Sequence, residues 1–232
     1  MAIDKPLRDI TAADILGLID ARRREDRTTE YKGHWSGDPD AMLKPISAFA
    51  NTDGGDLIFG IVAKDGIPTD ALGIESNEVE QAMVRSMQLA RSGLQPPLPV
   101  RNLNFQHVAL GNGRMVLILR VPPSWAQPHQ IRSTNVFYGR NSTESYRLDT
   151  TELRQRFLMA DSIHTRARGF IETRIAQIRR DGALPVPTPS PKLAFHVVPL
   201  RAFTGQLLEI GHKVTQLPKF LPLECYNTGI TA

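Results

Sequence analysis

The chain has 232 residues, 41% of them hydrophobic and 22% charged, enough for one large domain or for a domain with a smaller neighbour, and too apolar for global disorder. A net charge of +4 and a pI of about 9.4 suit a polyanionic partner without demanding one. The single cysteine, Cys225, excludes an internal disulfide framework and a cysteine-based zinc site, and the N-terminus has no signal-peptide-like apolar run. No stretch approaches the roughly 20 apolar residues of a membrane span. A cytoplasmic protein with no membrane partner is expected.

Thr11, with Asp14 three residues on, opens a first helix whose apolar face is Ile15, Leu18 and Ile19. It runs into the basic stretch Arg22-Arg-Arg-Glu-Asp-Arg27, and a short strand is expected over Thr29-Glu-Tyr-Lys32. Asp38-Pro39 is a strong helix start. Met42, Leu43, Ile46, Phe49 and Ala50 share one face, and Pro45 within that pattern predicts a kink or a late start. Gly54-Gly55 stops the helix, Asp56 to Val62 reads as a buried strand, and Asp65-Gly66 as a turn. A third helix is expected from Ser76 to Gly93, with Val79, Met83, Val84, Met87 and Ala90 on its inner face. Gly111-Asn-Gly113 joins a strand holding Leu103, Phe105 and Ala109 to a second over Met115–Val121. A short strand follows at Val136–Gly139. Asp149 and Glu152 then cap a helix that continues past Gly169 to Arg180.

Prolines alternate from Pro185 to Pro191, which favours an extended linker over 181–192. Strand pattern resumes at Leu193–Leu200, so 193–232 reads as the start of a C-terminal segment, and its abrupt end fits a fragment of a longer chain. Helices interleave with a mixed sheet, so the fold class is α/β or α+β, with the principal domain over 1–180.

Several residues have types suited to chemistry on nucleic acid. Glu30 and Lys32 are two apart on a strand and share a face, and Glu25 precedes them in a turn that can fold back. Clustered carboxylates are hard oxygen ligands for Mg²⁺ or Mn²⁺, which polarise a phosphoryl oxygen and activate water. A lysine beside them offsets transition-state charge. The same spacing equally describes an exposed ion pair beside a solvated helix end. Asn51-Thr-Asp-Gly-Gly55 permits close backbone approach to a phosphate, or simply ends a helix. Arg140, Asn141, Ser142 and Thr143 are donors suited to phosphate oxygens, or members of a polar turn. Trp35 and Trp125 can stack on bases or pack in the protein. The arginines from Arg166 to Arg180 make the late helix basic. No histidine spacing suits zinc hydrolysis and no Gly-x-Ser-x-Gly elbow is present.

Together these segments resemble one family. Glu25 and Glu30-Tyr-Lys32 are similar to its opening Glu…Glu-Phe-Lys motif. Ile46-Ser-Ala-Phe-Ala-Asn-Thr-Asp-Gly-Gly55 with Leu57-Ile-Phe-Gly-Ile61 resembles its central signature. Asp65-Gly66-Ile67 resembles the acidic turn that follows, and Tyr138-Gly-Arg140-Asn-Ser-Thr143 its late arginine segment. The family is the Schlafen-type AlbA-like domain of bacterial regulators, defence proteins and animal Schlafens, and the likeness runs from Arg23 to Phe157. It implies an α/β nucleic-acid-binding fold. In animal Schlafens three acids form a metal-dependent ribonuclease site, which by position implies Glu25, Glu30 and Asp65 as Mg²⁺ or Mn²⁺ ligands, with Lys32 at the scissile phosphate. Gly60-Ile-Val-Ala-Lys-Asp65 departs from the consecutive acids found there in relatives. Lys32, Asn51, Arg140, Asn141 and Ser142 are the expected nucleic-acid contacts. The leading expectation is an endonuclease acting on RNA or single-stranded DNA. The alternative is a non-catalytic DNA-binding or sensor module of a regulator. A homodimer, or further domains of a longer chain, fits either.

Overall fold

The computed structural model describes residues 3, 5–142 and 144–179. The chain divides into two compact units, residues 1–165 and 166–232. The proposed linker at 181–192 and the segment at 193–232 lie outside the described residues.

The elements follow in chain order: α1 (Ala12–Asp20), β1 (Thr29–Lys32), α2 (Pro39–Ala50), β2 (Gly55–Phe59), β3 (Val62–Lys64), β4 (Ile67–Asp70), α3 (Ser76–Ser92), β5 (Leu94–Gln95), β6 (Asn104–Ala109), β7 (Met115–Val121), β8 (Gln130–Ile131), β9 (Val136–Arg140), β10 (Ser145–Arg147) and α4 (Thr150–Arg179). The principal sheet has the order β1-β2-β7-β6. β1 and β2 run parallel, with Glu30 opposite Leu57 and Lys32 opposite Phe59, and α2 makes the crossover between them. The pairs β2–β7 and β7–β6 are antiparallel. A smaller sheet has the order β10-β9-β8-β5, and β3–β4 is a separate hairpin. This is the mixed α+β architecture expected.

Leu57-Ile58-Phe59 of β2 are consecutive apolar residues because both faces of the principal sheet are covered. Leu57, Phe59, Leu117, Leu119 and Val121 pack with Met42, Leu43, Ile46 and Phe49 of α2 and with Val79 and Leu89 of α3. The alternate residues Tyr31, Ile58, Val116 and Ile118 pack with Ile15 and Leu18 of α1. Burying a Leu, Ile or Phe side chain contributes about 1.5–3 kcal/mol each, so these two clusters dominate the stability of the unit.

Three local expectations need correction. The strand expected to reach Val62 ends at Phe59, because Gly60 turns the chain with φ +92° and a Cβ there would lie 2.8 Å from the Gly73 Cα. Helix α2 starts at Pro39 and not after Pro45, since Met42, Leu43, Ile46 and Phe49 on both sides of the proline are all held in the core. Pro45 nonetheless has no N–H for the Ala41 carbonyl. The inner face of α3 is Val79, Ala82, Ser86, Leu89 and Ala90, whereas Val84 is 51% exposed. The caps are as read. Asp14 Oδ2 accepts from the Thr11 N–H at 2.9 Å, Asp38 from Asp40 N at 3.0 Å, and Asp149 from Glu152 N at 2.8 Å.

Candidate nucleic-acid interface

Glu30 and Lys32 stand on the face of β1 that α2 covers, and alternation sends Tyr31 to the other side. The loop before β1 folds back as a hydrogen-bonded unit. Asp26 Oδ1 accepts from Thr28 N at 2.8 Å, Glu25 N donates to the Gly66 carbonyl at 2.7 Å, and Glu25 Oε1 accepts from Tyr31 N at 2.7 Å. Glu25, Glu30 and Lys32 thereby line one cavity of about 240 Å³, closed on its other sides by Ala41, Lys44, Pro45, Arg140, Glu144 and Ser145.

Arg140 organises this cavity from beneath. It ends β9, is 3% exposed, and its guanidinium lies 5.0 Å from the Phe49 ring centroid. Its Nε donates to the Asp26 carbonyl at 2.8 Å and its Nη2 to the Thr29 carbonyl at 2.7 Å. Its Nη1 donates to Glu30 Oε2 at 2.5 Å and to Ser145 Oγ at 3.3 Å. The other Glu30 oxygen pairs with Lys32 Nζ at 2.7 Å. The Glu30 side chain is 13% exposed and that of Lys32 38%, so the ammonium, not the carboxylate, faces solvent. Burial pushes the Glu25 carboxyl above its ordinary pKa, and neighbouring Glu30 adds to the rise; the Tyr31 N–H pulls the other way.

Two of the expected contact residues are internal instead. Asn51 is fully buried, and its Nδ2 donates to the His129 carbonyl at 3.0 Å and the Tyr138 carbonyl at 2.9 Å. Its Oδ1 accepts from His129 N at 2.6 Å. Asn51 therefore ties the end of α2 to β8 and β9 and cannot reach a ligand. Arg140 is likewise corrected from phosphate contact to internal clamp, because its donors are turned onto the protein. Gly54 and Gly55 are also buried: a Cβ on Gly54 would meet Pro123 at 2.7 Å, and one on Gly55 would clash with the Phe49 ring. They permit tight packing, and phosphate has no access to them. Asn141 and Ser142 are exposed in the β9–β10 turn, where Asn141 Oδ1 accepts from Glu144 N at 2.8 Å; Thr143 lies outside the described residues.

Asp65 is the ligand the structure does not deliver. It sits at φ +53° in the β3–β4 turn, exposed, with its carbonyl accepting from Arg24 Nη2 at 3.0 Å, and it does not line the cavity. Among the described residues no three His, Cys, Asp or Glu side chains group closely enough to hold a metal ion. The Glu25, Glu30 and Asp65 set therefore does not fit Mg²⁺ or Mn²⁺, which need several converging oxygen ligands.

Sequence reading missed Lys44. It is the one exposed residue between Met42 and Ala50, it lines the cavity, and its Nζ lies 5.5 Å from the Tyr138 ring centroid. A lone lysine inside an otherwise apolar helix face is the signal that marks it. Trp35 packs edge-on against Phe59, with ring centroids 6.0 Å apart. It also borders a separate cavity of about 480 Å³ against α3.

The sheet, the crossover helix and the residues gathered between them define an AlbA-like α+β domain. The chain belongs to the Schlafen, AlbA_2 family, whose profile matches residues 25–149. Among solved structures it is similar to the N-terminal domain of a protein from Nitrosomonas europaea named for its relation to the ATP-dependent DNA helicase RecG. Identity is 19% over 61% of this chain and 93% of that one, with a TM-score of 0.45. It is also similar to the DIP2311 protein from Corynebacterium diphtheriae, at 16% identity over 62% of this chain and 27% of that one, with a TM-score of 0.40. No curated protein matches the chain. No described helix is long and apolar enough to cross a membrane.

Proposed function

We propose that this domain binds nucleic acid through its phosphate backbone and does not cleave it. Family membership supports the class of ligand. The observation that carries the reading is the arrangement of charge at the cavity: Lys44 is exposed and Lys32 half-exposed at its rim, and Glu30, the partner of Lys32, is largely buried and also paired with Arg140. The loop Arg22–Arg27, which carries Glu25 into the cavity, adds four arginines against two acids. Ammonium and guanidinium groups on a shallow rim bind phosphate oxygens with little regard for base sequence.

Metal-dependent endonuclease activity loses support because Asp65 does not line the cavity and, among the described residues, no three His, Cys, Asp or Glu side chains group closely enough to hold an ion. The experiment is a joint binding and cleavage assay. End-labelled single-stranded RNA and DNA are incubated with the protein in Mn²⁺ at low salt. Retarded complexes from which intact strands are recovered are expected. Shortened strands whose production stops in Glu30→Gln would overturn the non-cleaving reading, and no retarded complex at any low salt would overturn binding.

A further inference from the structure

We infer that Arg140 is the resident counter-cation of this cavity, that it closes the cavity to divalent metal ions, and that phosphate contact at the rim takes place without them. Only the last clause rests on the nucleic-acid reading above.

The position of the guanidinium does not depend on Glu30. Two backbone carbonyls, Asp26 and Thr29, accept from its Nε and Nη2, and the face of Phe49 lies against it. Thr29 opens β1 and Asp26 bridges to it from the preceding loop, so Arg140 is built into the same strand junction that presents Glu30. With 3% of its surface exposed, it cannot swing aside to admit another cation without leaving a buried charge and two carbonyls unpaired. A metal bound by Glu30 would therefore be close to a fixed positive charge in a half-buried, weakly screened place.

The remaining charges agree. The cavity wall carries Glu25, Glu30 and Glu144 against Lys32, Lys44 and Arg140, so it is balanced with no added ion. Both Glu30 oxygens already accept, from Arg140 and from Lys32. Glu25 spends Oε1 on the Tyr31 N–H. A hard divalent ion needs about six oxygen ligands, and here both oxygens of Glu30 and one of Glu25 are already engaged by nitrogen donors. Glu30 is thus a positioning residue: Arg140 holds it, and it holds the Lys32 ammonium toward the rim.

The test uses the full chain, with Mn²⁺ alone as the first probe. Amide resonances of 25–32 and 140–145 are followed by NMR as Mn²⁺ is added below one equivalent. No selective paramagnetic broadening of these amides is expected. Localised broadening there at substoichiometric Mn²⁺ overturns the inference. A second arm measures affinity for a labelled single strand in EDTA and in Mg²⁺ at matched ionic strength. Values within about twofold are expected; tightening of tenfold or more in Mg²⁺ that disappears in Glu30→Gln contradicts it. If no strand binds in either buffer, the nucleic-acid reading and the last clause fail, and the closure to metal is judged by the Mn²⁺ arm.

Discussion

Two polar nodes lie along α2, and their amino acids look equally functional in the sequence. At one end Asn51 is sealed into the protein with three hydrogen bonds to the backbone of His129 and Tyr138. Beside residues 41–45 of the same helix, Glu25, Glu30 and Lys32 open onto a cavity that Lys44 also lines. The first node joins the smaller sheet to the helix; the second leaves cationic groups facing water. The difference lies in where polar atoms find partners. An amide with all its partners inside the fold holds structure, and an ammonium with one partner below and solvent above is available to a ligand.

The largest expected effect falls on the sealed node. Asn51→Ala removes three hydrogen bonds, two of them buried, and leaves carbonyls without donors, costing about 3 kcal/mol. For a chain of this size that corresponds to a fall of roughly 6–12 °C in Tm, read by calorimetry. The folded fraction should keep its affinity for nucleic acid; a specific loss of affinity with unchanged Tm would erase the contrast. Lys44→Ala should do the reverse. Affinity for a single strand falls roughly three- to tenfold at low salt and the slope of log K against log salt shrinks by about 0.7. Stability should change by no more than about 0.5 kcal/mol.

Acid separates the nodes more finely. Burial lowers the His129 pKa in the folded protein, and its Nδ1 lies 2.7 Å from the Pro96 carbonyl. Below about pH 6.5 the unfolded chain takes up a proton at this histidine that the folded chain refuses. Stability is therefore intact above that pH and lost as pH falls toward the lowered folded value. Glu25 has the opposite sign. Its folded pKa is raised, chiefly by burial, so its contribution is favourable below the ordinary carboxylate range and is lost as pH rises through the raised value. Glu25→Gln, which keeps an acceptor for the Tyr31 N–H, should consequently raise Tm at pH 7, a gain typical of replacing a carboxylate held in a place that disfavours its charge. A lower Tm at pH 7 would show that the carboxylate is stabilising as it stands. The smallest effect belongs to Asp65→Asn, which tolerates the same left-handed backbone. Affinity and response to divalent ions should be indistinguishable from wild type in the same titrations.

Much of the fold was legible because short-range chemistry wrote it. Thr11 with Asp14, Asp38 with Pro39, and Asp149 with Glu152 mark helix starts through local hydrogen bonds. The apolar run Leu57-Ile58-Phe59 belongs to a strand covered on both sides. Long-range pairing was not legible. Nothing local tells that Arg140 reaches back 110 residues to Glu30, or that Asn51 turns inward to His129. Asn51 and Arg140 therefore look like ligand contacts in the sequence, and the fold makes both of them clamps. The apolar residues of α3 do not settle its rotation, so Val84 reads as internal; Ala82 and Ser86, small and uninformative in sequence, are what face the core. The acid pair and its lysine were found by strand alternation, and Lys44, on another element, was not.

The central claim is that the lysine rim of this cavity carries nucleic-acid binding. Its most direct test is the salt dependence of single-strand affinity for wild type and for Lys32→Ala/Lys44→Ala, with folding verified by an unchanged melt. The account predicts weaker binding at low salt and a salt slope smaller by roughly 1.4, two phosphate contacts at about 0.7 each. Identical affinities and identical slopes would contradict it.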